Sequence, residues 1–224
     1  MEEPYIYKLF LHKVKGNTES ASEKKEWVTE EVEESIWLAA NGLIGDEKEQ
    51  PKLDQALFAY PFKHYYSWVE EMQFASIPSG YVGENLSVLE MDEYSVFIGD
   101  TYRVGDAVIQ VTQPYLPTWK LAQRFQVEDF ALRMQRSGRT GWHFRVIEEG
   151  EIRADQDIKL LDRPYSQWSI AACNEIMHIL KEDLRLADDL LQCPVLGKTW
   201  KHLLTKRLRG IPLQTKKRLF GPNI

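Results

Sequence analysis

The chain lacks several features that would otherwise reveal where it works. No apolar run approaches the roughly 20 residues that a membrane-spanning helix needs. Residues 1–8 carry neither the basic start nor the apolar stretch of a secretory signal. Its two cysteines, Cys173 and Cys193, form no C-x-x-C pair and no disulfide framework. We therefore expect a cytoplasmic protein in a reducing compartment, with no membrane partner.

Sequence motifs of the common catalytic classes are also missing. There is no phosphate-binding P-loop, no G-x-G-x-x-G after a predicted strand, no H-E-x-x-H and no G-x-S-x-G. The histidines are scattered without metal-ligand spacing, at positions 12, 64, 143, 178 and 202. His64 and His178 fall on predicted helices, where we expect packing or surface roles. Cys173 lies in an apolar helical stretch and is expected in the core.

Charge is negative overall but unevenly distributed. A net charge of −6 argues against nonspecific binding of nucleic acid, because nucleic-acid phosphates require a positive partner surface. Residues 19–34 are strongly acidic, whereas residues 198–218 contain many Lys and Arg and no Asp or Glu. This basic segment, with Trp200 and several leucines, suits an acidic partner. A solvated basic helix face is the alternative.

Short apolar runs separated by turn residues dominate the chain up to residue 163. They include Ser35–Ala39, Ser95–Ile98 and Ala107–Thr112, with Gly, Asn, Asp and Pro between them. This pattern favours a mainly β fold with helices, in which the strands form a closed or nearly closed barrel. Helical patterns follow, so we place a barrel domain at residues 1–163 and a small three-helix domain at residues 164–224.

One stretch of the predicted barrel combines basic and aromatic side chains. Its basic members are Lys120, Arg124, Arg133, Arg136, Arg139 and Arg145, and its aromatic members are Tyr115, Trp119, Trp142 and Phe144. Guanidinium groups bind phosphate, and aromatic faces stack on flat rings. The stretch therefore predicts a pocket for an anionic ligand with a flat ring. A solvated helix face beside ordinary strand residues is the alternative.

Several motifs occur in an order and spacing that resemble a known family. The motifs are Gly42–Asp46, Asp54–Pro61, Gly83–Leu86, Ile98–Asp100, Gln110–Pro114 and Ser137–Trp142. Together with the helical end of the chain, they resemble the MOSC superfamily, named after the C-terminal domain of molybdenum cofactor sulfurase. The resemblance is to its bacterial YiiM-like branch, which carries an appended three-helix domain. It covers nearly the whole chain and implies a β-barrel.

This resemblance implies a pocket for the molybdenum cofactor, which is a molybdopterin with a phosphate and a dithiolene-bound metal. Lys120, Arg124 and Arg139 are the matching candidates for binding the phosphate. Asn85 and Gln113 would hydrogen-bond the pterin edge or fix the loops around it. Family members are associated with reducing N-hydroxylated bases and related compounds, or with handling the cofactor and its sulfur. An acidic electron-transfer protein is the implied partner of the basic helical domain.

The chain departs from the family pattern at the expected metal site. Thr118 stands where the resemblance implies the cysteine that binds molybdenum, which makes Thr118 the candidate catalytic and metal-binding residue. A neutral hydroxyl is a poor replacement for a soft thiolate. Tyr115 replaces a neighbouring arginine, and residues 50–55 replace a His-Gly-Gly segment and a lysine. Within that segment, Pro51 lacks an amide donor and the conformational freedom of glycine.

Two functions stay open at this point. The first is a molybdenum cofactor-dependent reductase of a small-molecule substrate, in which Thr118, a water or a substrate group completes the metal site. The second is a non-catalytic carrier, sensor or partner protein that keeps the anionic pocket for a pterin, a nucleotide-like phosphate or an unrelated metabolite.

Overall fold

The computed structural model describes residues 3–15, 26–47 and 53–221 of the chain. These residues form two β-sheets and seven α-helices. The strands are β1 (Tyr5–Lys15), β2 (Glu26–Val32), β3 (Ile36–Ala39), β4 (Gly42–Leu43), β5 (Leu57–Pro61), β6 (Leu86–Leu89), β7 (Thr101–Val104), β8 (Ala107–Pro114), β9 (Trp142–Glu148), β10 (Gly150–Ile152) and β11 (Ile158–Asp162). The helices are α1 (Lys63–Met72), α2 (Trp119–Phe125), α3 (Phe130–Ser137), α4 (Ile170–His178), α5 (Leu184–Leu191), α6 (Lys198–Leu208) and α7 (Thr215–Phe220). The mainly β fold with helices is confirmed.

The main sheet has eight strands in the order β11-β7-β8-β9-β5-β6-β1-β2. Neighbouring strands are antiparallel except β5 and β6, which are parallel. β7 and β8 form a hairpin around the Gly105-Asp106 pair, with Val104 opposite Ala107. Gly105 has a φ of +55°, which glycine adopts without steric strain. The smaller sheet has the order β10-β3-β4.

The ends of the main sheet approach each other without a continuous ladder. In the described ranges, no strand pairing joins β2 to β11. β1, next to the edge strand β2, does contact the residues around the start of β11. Ile158 N–H donates to Pro4 O at 2.7 Å, and Ile6 N–H donates to Gln156 O at 2.9 Å. The closed or nearly closed barrel expected from the sequence is therefore not confirmed by the strand pairing.

Residues 95–98, expected to be a strand, instead lie in turns around an isolated β-bridge between Phe97 and Ser169, so that expectation was wrong. Asp92 Oδ1 accepts hydrogen bonds from Tyr94 N–H and Ser95 N–H, both at 2.9 Å. Asp100 Oδ2 accepts another from Phe97 N–H at 3.0 Å. Carboxylates that bond to nearby backbone N–H groups favour turns, so the apolar segment forms one bridge and no longer strand.

In the described residues after 163 the structure has four helices, α4 to α7, where the sequence predicted three. The short helix α7 was not expected. The principal apolar cluster contains Phe144 of the sheet together with Cys173, Leu190 and Trp200 of the helices. The core is thus continuous between the sheet and the helices. The division into two domains at residue 163 stays a prediction.

The start of α6 lies directly against the end of β8. Gly197 N–H donates to Thr112 O at 3.0 Å, and the buried Trp200 Nε1 donates to Pro114 O at 3.0 Å. A Cβ atom at Gly197 would lie 2.2 Å from Gln113 Oε1, so this close approach requires glycine. The contact places α6 and the segments that follow it beside residues 115–118. Within the described ranges, no helix has both the length and the apolar character that crossing a membrane requires.

Candidate functional site

A cavity of about 940 Å³ lies among the loop before α2 and the helices α2, α4, α6 and α7. Its size is typical of pockets for small molecules. Leu116, Trp119 and Ile211 contribute apolar surface to its lining. The cavity therefore combines elements from both parts of the chain, because α2 precedes residue 163 and the other three helices follow it.

The charge of this cavity is strongly positive. We call it the basic cavity, because its lining includes Lys120, Lys181, Lys206, Arg207, Lys217 and Arg218. Glu182 is the one acidic residue that lines it within the described part of the chain. This excess of positive charge attracts anions, and the low dielectric constant of the surrounding protein strengthens the electrostatic field inside the cavity.

Arg218 lies on α7 and reaches across to residues of the β-rich part. Its guanidinium donates hydrogen bonds to Pro117 O and to Gln135 Oε1, both of which are neutral acceptors. In the residues that the structure describes, it forms no ion pair with a carboxylate. Burial lowers the pKa of Arg218 to about 10, and the side chain stays positively charged near neutral pH.

Arg207 lies on α6 and contacts the last turn of α4. It donates to Ile176 O at 2.8 Å and also to Met177 O, which satisfies carbonyl groups at the end of α4. A positive charge is favourable at a helix C-terminus, so this contact stabilises α4. Burial lowers the pKa of Arg207, and its bonds within the described ranges all go to neutral groups.

His178, the last residue of α4, lies among these cations. Its side chain lines the basic cavity, and the residue is 7% exposed. Burial lowers the pKa of His178 to about 3, and the positive charges of Arg218, Arg207 and Lys181 lower it further. Nε2 of His178 is buried and has no hydrogen-bond partner in the described structure. His178 is therefore a neutral imidazole near neutral pH.

Thr118, the candidate metal-binding residue, lines the basic cavity just before α2. Its backbone is extended, with φ −126° and ψ 161°, and its side chain makes no capping hydrogen bond to the helix. Burial raises the pKa of Tyr115 to about 12, and the neighbouring Thr118 side chain partly offsets this shift. Tyr115 stacks on Phe58 at 4.4 Å between ring centroids. Lys120 is exposed and lines the same cavity.

The other two candidates for phosphate binding do not line the basic cavity. Arg124 donates to Tyr81 O at 3.1 Å and lies 5.9 Å from the centre of the Tyr81 ring. Arg139 forms two hydrogen bonds to Glu71, at 2.7 and 2.8 Å, and lies 3.8 Å above the Trp68 ring. Arg139 lines a separate cavity of about 340 Å³. Of the three candidates, only Lys120 lies with Thr118.

Asn85 is buried and connects three backbone segments. Its Oδ1 accepts from Phe58 N–H at 3.1 Å, and its Nδ2 donates to Phe10 O at 3.3 Å and to Asp46 Oδ2 at 2.7 Å. These bonds fix the loops around β1, β5 and β6. Such a role is one of the two that the sequence suggested for Asn85.

Gln113 is buried in β8 and packs against the start of α6. Its Oε1 has no hydrogen-bond partner in the described residues, and Gly197 leaves the space for it. Gln113 does not line the basic cavity. Its expected contact with a pterin stays a prediction, as does that of Asn85.

Soft metal ligands are not found at Thr118. Both cysteines are buried in the core outside the basic cavity, and burial raises the pKa of each thiol. Across the described ranges, no group of three or more His, Cys, Asp or Glu side chains could hold a metal ion. The residues present therefore do not fit a molybdenum centre held by a protein thiolate.

The second departure from the family pattern is only partly described. Residues 50–52, which include Pro51, lie outside the described residues. Gln55, at the end of this segment, donates from Nε2 to Thr199 Oγ1 at 3.2 Å. Gln55 thus joins the segment before β5 to the first turn of α6, where a lysine was expected to face a ligand.

Sequence reasoning missed His178, Arg207 and Arg218 as cavity residues. The basic character of residues 198–218 was recognised, but it was interpreted as a surface for an acidic partner. Periodicity alone could not show that Arg207 of α6 contacts α4, or that Arg218 of α7 contacts the loop before α2. A chain segment with many cations and no acid was the signal available.

Comparisons with known proteins are consistent with this architecture. Residues 40–159 match the MOSC domain. The chain is 34% identical over 198 residues to Protein YiiM of Escherichia coli, which covers 85% of this chain and 88% of that protein. The crystal structure of YiiM from Escherichia coli matches with a TM-score of 0.77 and 33% identity, over 85% of this chain and 94% of that one.

Two further matches extend over most of the chain. The crystal structure of YiiM from Geobacillus stearothermophilus has a TM-score of 0.77 and 28% identity, and covers 92% of this chain and 99% of that one. A protein named "Reductase" from Gibberella moniliformis is 32% identical over 183 residues. That match covers 79% of this chain but only 32% of the fungal protein.

Proposed function

Because the chain belongs to the MOSC domain family, we propose that it binds a phosphorylated, flat-ring ligand of the pterin-cofactor type in the basic cavity. The observation that carries this proposal is the pair Arg207 and Arg218. Both line the cavity, both are partly buried, and both donate only to neutral groups within the described structure.

An uncompensated buried cation is energetically unfavourable, because water that would solvate it has been removed. Carbonyl and amide oxygens offset only part of that loss. A phosphate offers a full negative charge and several acceptor oxygens, which match the fork of N–H donors on a guanidinium. An anionic ligand would therefore gain more from this cavity than a neutral ligand of the same shape.

The rest of the cavity lining supports a ligand that also has an apolar, planar part. Trp119 offers an aromatic face, and Leu116 and Ile211 offer aliphatic surface. Flat heterocycles bury well against such surfaces, while a phosphate on the same molecule keeps contact with the cations. A phosphorylated pterin combines both parts.

Redox chemistry at a thiolate-bound molybdenum is not part of this proposal. Thr118 supplies a neutral hydroxyl, and the two cysteines lie elsewhere in the core. We therefore favour a cytoplasmic carrier or sensor that holds the ligand without this metal centre.

A reductase acting on a small molecule is the second candidate, favoured by the fungal relative named "Reductase". In that case an acidic electron-transfer protein would dock on the basic helices α6 and α7. Such a partner would have to supply electrons that the described side chains do not carry. Retention of molybdenum by the purified protein separates the two candidates.

Fluorescence titration tests the proposed ligand. The probes are a pterin carrying a phosphate ester and the same pterin after dephosphorylation. We expect the phosphorylated form to bind at least about tenfold more tightly, since hydrogen bonds to charged partners contribute roughly 1.5–3 kcal/mol. Equal affinities, or no binding of either form, would contradict the proposal.

A further inference from the structure

We infer that the phosphate recognised by this protein is a dianionic monoester, bound where Arg207, Arg218 and Lys181 converge around His178. This inference rests on the proposed function, because it assigns one part of the same cavity. It moves the phosphate site from Arg124 and Arg139 of the β-rich part to the C-terminal helices.

The three cations approach His178 from different elements. Arg207 comes from α6, Arg218 from α7, and Lys181 from the segment after α4. All three line the basic cavity together with His178. Arg207 donates to Ile176 O and Met177 O, directly before His178, and Lys181 follows His178 by three residues. The positive charges of all three lower the pKa of His178. A single anion placed there meets three positive charges.

The arginines of the β-rich part lack this arrangement. Arg139 already has a carboxylate partner in Glu71 and an aromatic partner in Trp68. Arg124 is hydrogen-bonded to Tyr81 O outside the cavity lining. A phosphate would have to displace Glu71 to reach Arg139. In the described structure Arg207 and Arg218 form no ion pair with a carboxylate, although the negative charge of Glu182 acts on Arg207.

Donor count also favours a phosphate over a carboxylate. Arg218 donates to Pro117 O and Gln135 Oε1, and Arg207 donates to the end of α4. A guanidinium has more N–H donors than these bonds use, and a lysine adds a mobile ammonium. A carboxylate has one negative charge and two oxygens to accept these donors. A phosphate monoester has more of both, and therefore matches three cations better.

The neutral state of His178 fits the same arrangement. Surrounded by three cations, a protonated imidazole would add a fourth positive charge in the absence of a ligand. Burial and the neighbouring charges lower the pKa of His178 to about 3, so the site holds three positive charges and a neutral ring near neutral pH. Glu182 is the acidic side chain that lines the same cavity in the described ranges.

Charge-removing variants test the assignment in the intact protein. We would measure binding of the phosphorylated pterin, the dephosphorylated pterin and inorganic phosphate to the parent, Arg218→Gln, Arg207→Gln and Lys181→Gln. Arg209→Gln is the matched control, because Arg209 is exposed and does not line the cavity. Circular dichroism would verify that each variant is folded.

We expect Arg218→Gln and Arg207→Gln to weaken the phosphorylated probe and inorganic phosphate by at least about tenfold, with the dephosphorylated pterin changed little. Lys181→Gln should weaken both phosphate-bearing probes by roughly threefold, since Lys181 is exposed and screened. Arg209→Gln should match the parent. Because Lys181 is at the surface, its variant keeps the test valid if the loss of Arg207 or Arg218 impairs folding.

The outcomes separate this inference from the proposed function. If the parent binds phosphorylated pterin and none of the three variants weakens it, the inference is wrong and the proposed function stands. If the parent binds inorganic phosphate with the expected variant pattern but no pterin, the phosphate site stands and the pterin proposal is wrong. If the parent binds none of the three probes, both are wrong.

Discussion

At the scale of single residues, His178 is the side chain whose surroundings have the clearest consequence. Its burial lowers its pKa to about 3, with Arg218, Arg207 and Lys181 contributing further. In an unfolded chain the same imidazole has an ordinary value near about 6.5. The folded and unfolded states therefore bind protons differently over the range between these two values.

This difference predicts an acid sensitivity carried by one residue. Above about pH 6.5 His178 is neutral in the folded and the unfolded state, so it adds no pH dependence to the free energy of unfolding. Below that pH, only the unfolded chain binds a proton at this imidazole. Stability should then fall by about 1.4 kcal/mol per pH unit until the pH reaches the folded pKa. We expect His178→Phe to lose about 2–3 kcal/mol less stability than the parent between pH 7 and pH 4.5.

Urea unfolding at the two pH values measures this effect. His202→Phe is the matched control, since His202 is exposed, and its pH dependence should resemble that of the parent. If the parent and His178→Phe lose the same free energy of unfolding on acidification, His178 is not buried as a neutral ring.

Thr118 carries the second prediction at this scale. Installing Thr118→Cys should raise molybdenum retention by at least roughly tenfold in protein purified from a host that makes the cofactor, because a soft thiolate then replaces a neutral hydroxyl. Elemental analysis measures the outcome. Thr199→Cys is the control, because Thr199 does not line the basic cavity. Equal metal content in the parent and both variants would show that residue 118 does not determine metal binding.

The sequence suggested arginine and lysine as the phosphate-binding residue types of the proposed site, but it did not identify which of them line the cavity. Arg124 and Arg139 have the right chemistry for phosphate, but Tyr81 O and Glu71 engage them. Arg218 lies about a hundred residues away from the loop that it contacts, which is a distance in sequence that no local pattern spans. Partners of this kind depend on tertiary packing.

At the scale of secondary-structure elements, the contact between α6 and β8 brings the helices to the cavity. Gly197, the residue before α6, has an ordinary backbone conformation with φ −63°. Glycine is needed here because it has no side chain: a Cβ atom at this position would lie 2.2 Å from Gln113 Oε1. The sequence alone could not show which side chain would occupy the space beside Gly197.

Gly197→Ala should therefore destabilise the protein by overpacking. We expect a loss of about 1–3 kcal/mol in the free energy of unfolding, measured by urea denaturation. Gln113→Ala in the same chain removes the obstructing oxygen, so the double variant should be more stable than the sum of the two single losses predicts. Strict additivity would show that the two residues do not meet.

Elements defined by regular periodicity agreed best with expectation. The hairpin of β7 and β8 and the helices α4 to α6 follow the apolar spacing of their sequences. Residues 95–98 form only an isolated bridge, at Phe97, because Asp92 and Asp100 accept hydrogen bonds from the backbone N–H groups of Ser95 and Phe97. A short helix such as α7, with six residues, gives too little periodicity to be recognised.

At the scale of the whole molecule, one apolar core joins the sheet and the C-terminal helices. Phe144 and Ile109 of the sheet and Cys173, Leu190 and Trp200 of the helices belong to the same cluster. The sequence suggested two units with a boundary after residue 163, because local pattern changes there. Side chains from both sides of residue 163 pack in one core, and such tertiary packing cannot be predicted from a change in the local sequence pattern.

A continuous core predicts cooperative unfolding. We expect a single transition, with tryptophan fluorescence and far-ultraviolet circular dichroism giving coincident denaturation midpoints. Two transitions, one of them confined to helical signal, would instead indicate a helical domain that unfolds independently.

The central claim is that the basic cavity binds a phosphorylated pterin-type ligand without a thiolate-bound molybdenum centre. The most direct test is to purify the protein from a host that makes the cofactor, then measure molybdenum by elemental analysis and pterin by fluorescence after oxidation. We expect pterin without stoichiometric molybdenum. Stoichiometric molybdenum together with pterin would contradict the claim and restore the reductase hypothesis, and the absence of both would contradict ligand binding itself.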